Sequence, residues 1–123
     1  MADHNELGKT AEDLAVTYLQ KNGYIILVRN FRFQKAEIDI IAEKNNVIII
    51  IEVKARSTDA FMLPQEAVTK TKIKLLVSAA NHFMETSNKD QEVRFDIISV
   101  LPDEKKNLII EHITDAFEAF DAN

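Results

Sequence analysis

The chain has 123 residues, of which 46% are apolar and 28% charged, a balance typical of one globular, water-soluble domain. Its net charge of −5 does not indicate a general nucleic-acid-binding protein, and the absence of cysteine excludes disulfides, thiolate nucleophiles and zinc–thiolate sites. No apolar run approaches the ~18–20 residues that span a bilayer, and the polar N-terminus predicts no export signal. We therefore expect a single domain over residues 1–123, located in the cytoplasm.

Hydrophobic periodicity and turn signals predict elements in the order α-β-β-β-α-β-β, an α/β fold with a mixed sheet of about five strands flanked by helices. In chain order, we expect a helix over 6–21 that ends at Asn22-Gly23, strands over 24–33, 36–43 and 47–55, a loop over 56–64, a helix over 65–85, strands over 93–101 and 107–113, and a short acidic helix at the end. Lys44-Asn45-Asn46 is predicted to form a tight hairpin turn.

The third predicted strand carries the strongest functional signal. Four consecutive isoleucines, 48–51, lead into Glu52-Val53-Lys54. Side chains alternate along a strand, so Glu52 and Lys54 should share one face, and Val53 the other. A carboxylate and an ammonium at the end of a buried strand are costly to desolvate unless they are paired, bind a ligand or do chemistry.

The second predicted strand repeats this pattern, with Glu37 and Asp39 expected on one face and Ile38 and Ile40 on the opposite face. The hairpin should bring Asp39 beside Glu52. Because Mg²⁺ and Mn²⁺ prefer oxygen ligands, these two carboxylates are the predicted metal ligands. Such a site, with a lysine that orients water or stabilises charge on a phosphate, suggests a metal-dependent phosphodiesterase.

Two further residues are candidates for the same site. Lys72 falls within the apolar stripe of the second predicted helix, so it should converge on the acids of the sheet; alternatively, it extends past the helix edge to solvent. Glu12 lies on the flank of the first helix's apolar stripe. Periodicity leaves open whether it lies on the surface or leans toward the site.

Basic residues are locally concentrated despite the acidic total. The segment 20–35 contains lysine and arginine and the segment 67–81 contains three lysines, both without an acid, whereas 111–123 contains acids and no lysine or arginine. Such local positive patches would attract the phosphates of a DNA backbone, even though the net charge of the chain is negative. The candidates for phosphate contact are Arg29, Arg32, Lys35, Arg56, Lys70 and Lys74. The alternative is that these are ordinary solvated surfaces.

Two other groups are expected to be structural. Arg94 and Asp96 share a strand face and are predicted to form a cross-strand ion pair that fixes the sheet. The three histidines, His4, His82 and His112, lack metal-ligand spacing and are predicted to lie on the surface.

An ordered set of motifs resembles the YraN family, a bacterial family similar to archaeal Holliday-junction resolvases within the PD-(D/E)xK nuclease superfamily. The resemblance covers about residues 6–101 and departs from the family at Ala36, where glycine is usual. The motifs are Gly8-Lys9-Thr10-Ala11-Glu12, Leu19-Gln20-Lys21-Asn22-Gly23-Tyr24, Arg29-Asn30-Phe31-Arg32, Glu37-Ile38-Asp39-Ile40-Ile41, Ile51-Glu52-Val53-Lys54-Ala55-Arg56, Ala67-Val68-Thr69 with Lys72, and Arg94-Phe95-Asp96.

The resemblance implies a restriction-endonuclease-like core, with Glu12, Asp39, Glu52 and Lys54 at the nuclease active-site positions and Lys72 at the family's helix lysine. It also suggests a homodimer that joins two positive patches. Three functions remain open: an endonuclease for branched or otherwise structured DNA, a nucleic-acid-binding module with weak or lost catalysis, and a protein-interaction domain. The joint presence of Asp39, Glu52 and Lys54 favours the first.

Overall fold

The computed structural model of the chain describes residues 4–56 and 68–119, with side chains from Lys9 onward. The predicted order of helices and strands is confirmed. The elements are α1 (His4–Lys21), β1 (Ile25–Phe33), β2 (Ala36–Lys44), β3 (Val47–Ala55), α2 (Lys70–Thr86), β4 (Glu92–Pro102) and β5 (Leu108–Phe117).

The five described strands form one mixed sheet in the order β1-β2-β3-β4-β5. Strands β3 and β4 are parallel, and the other neighbouring pairs are antiparallel. A parallel pair needs a crossover connection, which here contains α2. The α/β fold with a mixed five-stranded sheet is therefore as predicted.

The helices pack on opposite faces of the sheet, and the isoleucine run serves both. Ile49 and Ile51 contact the cluster that includes α1, whereas Ile48 and Ile50 contact the cluster that includes α2. All four are essentially inaccessible to solvent. Burying each such side chain stabilises the fold by roughly 1.5–3 kcal/mol. The part of β3 that directly precedes Glu52 is therefore held rigidly in the centre of the sheet.

The β2–β3 hairpin closes as expected. Asn45 and Asn46 both have positive φ, at 52° and 64°. Two such residues in succession form the turn whose twist matches that of an antiparallel pair, and asparagine tolerates this conformation well. The tight turn fixes the register that brings the far end of β2 alongside the far end of β3.

The second helix begins later than predicted. Thr69 is its N-cap: its backbone is extended, with φ −77° and ψ 164°, and its Oγ1 accepts a hydrogen bond from the Lys72 backbone N–H at 3.1 Å. Val68 is buried but precedes the helix. The N-cap threonine fixes the start of the helix at Lys70, although the apolar periodicity predicts an earlier start. Residues 65–67 of the predicted helix and residues 57–64 of the predicted loop 56–64 lie outside the described residues.

The prediction of a short acidic helix after residue 113 is wrong for residues 114–117, because β5 continues to Phe117. Phe95 pairs with Phe117, and Ile97 pairs with Ile113, so β5 has two extra residues in a bulge at this point. The bulge returns Phe117 to the core, where its ring stacks on Phe95 at a centroid distance of 5.1 Å. None of the described helices is long and apolar enough to cross a membrane.

Candidate functional site

The site begins where β2 and β3 separate. Their paired register runs from Lys44↔Val47 to Ile40↔Ile51. Asp39 is one residue beyond this paired region, on the side away from the turn. Here a side chain takes the place of the backbone carbonyl as acceptor: Asp39 Oδ2 accepts a hydrogen bond from the Val53 backbone N–H at 2.8 Å. A carboxylate therefore satisfies the strand amide that its neighbour strand no longer reaches.

The alternation of side chains is broken at the same residue. Ile38 belongs to the core on the α2 side of the sheet, and Ile40 belongs to the core on the α1 side. The prediction that they share a face is wrong. Asn30, which follows Arg29 in β1 opposite this point, has a positive φ of 55°. The local irregularity places Asp39 where charges from both sides of the sheet act on it.

Glu52 is the most buried acid of the predicted site, with 6% of its side chain exposed. Its Oε1 lies 3.6 Å from the Nζ of Lys54 and 3.6 Å from the Nζ of Lys72. Its other oxygen, Oε2, is buried and has no hydrogen-bond partner within the described part of the chain. The convergence predicted for Lys54 and Lys72 on Glu52 is therefore present, and one carboxylate oxygen is left to be satisfied.

Both carboxyl groups have raised pKa values. Burial, followed by the negative charge of Glu52, raises the pKa of Asp39 to about 7, although the Val53 N–H opposes this shift. Burial likewise raises the pKa of Glu52, against the opposing effects of Lys72 and Lys54. The two lysines thus offset only part of the cost of placing two carboxylates in this position.

These residues fit a divalent cation. The unsatisfied Oε2 of Glu52 and the raised pKa of Asp39 both mark a site with more negative charge than its surroundings neutralise. Hard cations such as Mg²⁺ and Mn²⁺ take carboxylate oxygens as ligands and retain several waters. Among the residues described, no group of three or more His, Asp or Glu side chains could hold a metal ion. The candidate ligands therefore remain the predicted pair, Asp39 and Glu52.

Glu12 contacts two residues of the edge strand β1. Its Oε1 accepts hydrogen bonds from Arg29 Nε at 3.2 Å, Arg29 Nη2 at 3.1 Å and Asn30 Nδ2 at 3.1 Å. Its charge also raises the pKa of Asp39, so it lies near the acidic site. Arg29 Nη2 in addition donates to Asp13 at 2.7 Å. Lys9 completes the lining of the open cleft beside this cluster.

The other candidates for phosphate contact lie in β1, in the β1–β2 turn, directly after β3 and on α2. Arg32 forms a 2.8 Å ion pair with Glu37, with 79% of the arginine side chain exposed. Lys35 is exposed in the β1–β2 turn, and Lys70 and Lys74 are exposed on α2. The backbone N–H of Arg56 donates to the Val100 carbonyl at 2.9 Å, which holds the residue after β3 against β4.

A second polar centre lies in β4, and the sequence predicts only its Arg94 and Asp96 members. Asp96 is inaccessible to solvent and accepts two hydrogen bonds from Arg94, each of 2.8 Å. It also accepts one from the Asp115 backbone N–H at 3.0 Å and contacts His112 Nε2 at 2.7 Å. The Arg94–Asp96 ion pair therefore runs along one strand, and the cross-strand pair that was predicted is wrong.

His112 is the residue that sequence reasoning missed, because it is largely buried and the prediction of a surface position is wrong. Its Nε2 faces the Asp96 carboxylate, so this nitrogen carries the proton. Its Nδ1 is hydrogen-bonded to Tyr18 Oη at 2.9 Å. Burial opposes ionisation of Asp96, but hydrogen bonds from His112, Arg94 and the Asp115 N–H hold its pKa below the usual value. The available signal was an acid inside the apolar run 95–101, which requires partners as Glu52 does.

The family model described as "Uncharacterised protein family UPF0102" matches residues 11–100. The chain belongs to the UPF0102 family. The predicted YraN-like resemblance is thereby confirmed. A UPF0102 protein of Flavobacterium psychrophilum is 54% identical over 120 residues, which cover 98% of this chain and 100% of that protein. A UPF0102 protein of Bacteroides thetaiotaomicron is 50% identical over 117 residues, which cover 95% of this chain and 96% of that protein.

Among solved structures, the UPF0102 chain is similar to the crystal structure of SSO0001, with a TM-score of 0.48 and 14% sequence identity. The similarity covers 98% of this chain and 57% of that one.

Proposed function

We propose that this UPF0102 protein is a metal-dependent endonuclease that hydrolyses phosphodiester bonds in branched or otherwise structured DNA. The observation that carries the proposal is the environment of Glu52. One oxygen of its carboxylate faces two lysines, and the other is buried without a hydrogen-bond partner among the described residues, beside an Asp39 whose pKa is raised to about 7.

In this proposal, Asp39 and Glu52 hold one Mg²⁺ or Mn²⁺. When bound, the ion supplies Lewis acidity at the scissile phosphate and a water of lowered pKa. The chain contributes a preorganised pair of acids: Asp39 is fixed by the Val53 N–H, and Glu52 by its position at the end of the isoleucine strand. Preorganisation of this kind avoids rearrangement at the moment of reaction.

The two lysines have different roles. Lys54 lies two residues after Glu52 in β3 and keeps 32% of its side chain exposed, so its ammonium can contact the attacking water or a phosphate oxygen. Lys72 approaches the same carboxylate oxygen from α2 and orients Glu52. Glu12, held by Arg29 and Asn30, adds negative charge on the other side of Asp39 and so favours cation binding.

The DNA backbone would be held by the surrounding cations, namely Arg29, Arg32, Lys35, Arg56, Lys70 and Lys74. The preference for branched DNA and a homodimeric state are supported by the resemblance to Holliday-junction resolvases. The cytoplasm, where chromosomal DNA lies in bacteria, is the compartment in which we expect this activity.

The proposal is tested by incubating the protein with four-way junctions, Y-shaped DNA, nicked duplex, single strands and intact duplex, with Mg²⁺, Mn²⁺ or EDTA. Cleavage of a branched substrate that requires the cation is the expected result, and Glu52→Gln should lose it. Glu111→Gln, which neutralises an exposed acid on β5, is the matched control and should cleave normally. The absence of cleavage in every substrate and with both cations would contradict the proposal.

Binding to DNA without cleavage would instead support a DNA-binding module. The observation that favours this second function is that Lys54 and Lys72 both contact the same oxygen of Glu52, so the chain itself supplies positive charge to this carboxylate. Binding that survives in EDTA and in Glu52→Gln, with no cleavage by the parent protein, would identify it.

A further inference from the structure

An aromatic pair lies at the solvent margin of the α2 side of the sheet. The rings of Phe33, at the end of β1, and His82, on α2, are stacked with a centroid distance of 4.0 Å and an interplanar angle of 15°. Phe31 contacts His82 from 6.3 Å and packs edge-on against the buried Phe83 at 5.5 Å. The core beneath is therefore filled by Phe31 and Phe83, while Phe33 and His82 both remain partly exposed.

Two cations are neighbours of Phe33 in the chain. Lys35 is exposed two residues after it in the β1–β2 turn, and Arg32, which precedes it and so points to the other face of this edge strand, keeps most of its side chain in solvent. The ion pair between Arg32 and Glu37 is exposed, and exposed pairs of this kind contribute little and exchange partners readily. A phosphate can therefore replace Glu37 at little cost.

A row of residues on α2 leads to the same place. Lys70, Lys74, Ser78 and His82 are spaced four apart, so they follow one ridge of the helix, and the first three are exposed. Lys72, which contacts Glu52, is ten positions before His82. At 1.5 Å per residue, the aromatic pair lies about 15 Å along the helix from the lysine of the candidate active site.

We propose that Phe33 and His82 form a stacking platform for one unpaired nucleobase, and that Lys35, Arg32 and Lys74 contact the neighbouring phosphates. Aromatic side chains beside a cationic surface bind single-stranded nucleic acid in this way, because every base presents a π-face. The inference rests on the proposed nuclease function and specifies its substrate: DNA with an unpaired segment roughly four stacked nucleotides from the bond that is cut, at the ~3.4 Å spacing of a strand.

The absence of tryptophan from the chain permits a direct test. His82→Trp in the full-length protein introduces a single indole at the platform, whose fluorescence a stacked base quenches. Titration in EDTA, where no cleavage competes, should give quenching with a duplex that has a single-stranded overhang and little with a blunt duplex of equal length. Thr17→Trp, at an exposed position of α1 on the opposite side of the sheet, should show no such difference.

A second pair of variants measures the contribution to affinity. His82→Ala should weaken binding of the overhang DNA by about fivefold or more, the low end of the loss when a base-stacking aromatic is removed, and leave blunt-duplex binding unchanged. His82→Phe keeps an aromatic ring and should restore the overhang affinity. Equal quenching of His82→Trp by blunt and overhang DNA would overturn the proposal, as would equal losses for both DNAs in His82→Ala.

These outcomes are separable from failure of the nuclease function. Overhang-specific quenching without cleavage by the parent protein would support the platform and contradict the nuclease. Cleavage of branched DNA with no quenching of His82→Trp would support the nuclease and contradict the platform. A protein that binds none of these DNAs at low salt would overturn both.

Discussion

At the scale of single residues, Asp39 combines two requirements that oppose each other. Its carboxylate accepts the Val53 amide, which favours the ionised form, yet burial and the neighbouring Glu52 disfavour that form more strongly. Such a residue stores unfavourable electrostatic free energy in the folded protein. A bound cation would release it, and its absence has a measurable consequence for stability.

The first prediction is that the free energy of unfolding falls as pH rises from about 4 to about 7 and levels off above that range. The pKa of Asp39 is raised from 3.8 to about 7 in the folded state, so the folded protein holds a proton between these values that the unfolded chain has released. The raised pKa of Glu52 acts in the same direction. Urea unfolding at a series of pH values, without divalent cations, measures the effect.

Asp39→Asn is the control for this prediction, because the amide oxygen can still accept the Val53 N–H but does not titrate in this range. Its unfolding free energy should depend less on pH, and it should lose the single Mn²⁺ site that calorimetry is expected to detect in the parent protein at pH 8. A steep pH profile that persists in Asp39→Asn, or an unchanged Mn²⁺ isotherm, would contradict the assignment.

The second prediction separates catalysis from binding. Lys54→Met should reduce cleavage by about 100-fold or more, the usual loss when a group that stabilises transition-state charge is removed, and leave DNA affinity nearly unchanged. The free energy of unfolding of the variant should be similar or higher. Removing a partly buried cation saves its desolvation cost, and this gain offsets the loss of a partner for the negative charge of Glu52. Lys74→Ala, at an exposed position of α2, should weaken binding slightly and preserve the chemistry.

Cleavage rates and anisotropy titrations of the two variants provide the comparison. If Lys54→Met cleaves as well as the parent protein, Lys54 is a structural partner of Glu52, and the proposed nuclease loses its third catalytic residue.

At the scale of secondary structure, the buried Asp96 links three elements. Arg94 and Asp96 lie in β4, His112 and the Asp115 amide in β5, and Tyr18, which is hydrogen-bonded to His112, in α1. Burial, followed by the charges of Tyr24 and Asp96, raises the pKa of Tyr18, so its hydroxyl keeps its proton. The network therefore fixes the β5 bulge and attaches α1 to the edge strand β5.

The third prediction is that Asp96→Ala destabilises the protein by about 3–5 kcal/mol, since it leaves Arg94, His112 and a backbone N–H without their shared acceptor. Tyr18→Phe removes one hydrogen bond and should cost about 1 kcal/mol. Asp115→Asn is the matched control: it keeps the backbone N–H, tolerates the local φ of 54°, and should change stability little. Equal urea midpoints for Asp96→Ala and the control would contradict a stabilising network.

The sequence predicted regular elements well and irregular ones poorly. The isoleucine run, the Asn45-Asn46 turn and the apolar stripe of α2 are local signals, and the order of elements followed from them. The exchange of faces between Ile38 and Ile40 and the two-residue bulge of β5 have no local signal, because each depends on contacts between distant strands. For that reason Glu52, Lys54 and Lys72 could be grouped from periodicity, whereas the partners of His112 could not.

At the scale of the whole molecule, the charges are divided more unevenly than the total of −5 indicates. The cations proposed to touch DNA lie in β1, in the β1–β2 turn, directly after β3 and in α2, while β5 exposes Glu111 and Asp115. Binding of a polyanion to an acidic protein must therefore rely on a limited set of local contacts, and it should be sensitive to ionic strength.

The fourth prediction is that affinity for branched DNA falls linearly with salt on a logarithmic scale, with a slope of roughly −0.9 for each duplex phosphate contacted. Fluorescence anisotropy at several salt concentrations gives the slope. Lys35→Ala should make the slope less steep, whereas Lys105→Ala, in the exposed β4–β5 connection, should not change it. A slope near zero in the parent protein would exclude the proposed phosphate contacts.

The hydrogen bond from the Val53 backbone N–H to Asp39 turns one amide into a built-in reporter of the site. Its proton points at the carboxylate that titrates near pH 7, so the chemical shift of this single amide in an NMR spectrum should follow the ionisation of Asp39 without any label or substitution. The chemical shift of the same amide should also change when a divalent cation binds the Asp39 carboxylate. Occupancy of the site can thus be read in solution from one backbone amide of a protein with no substitution.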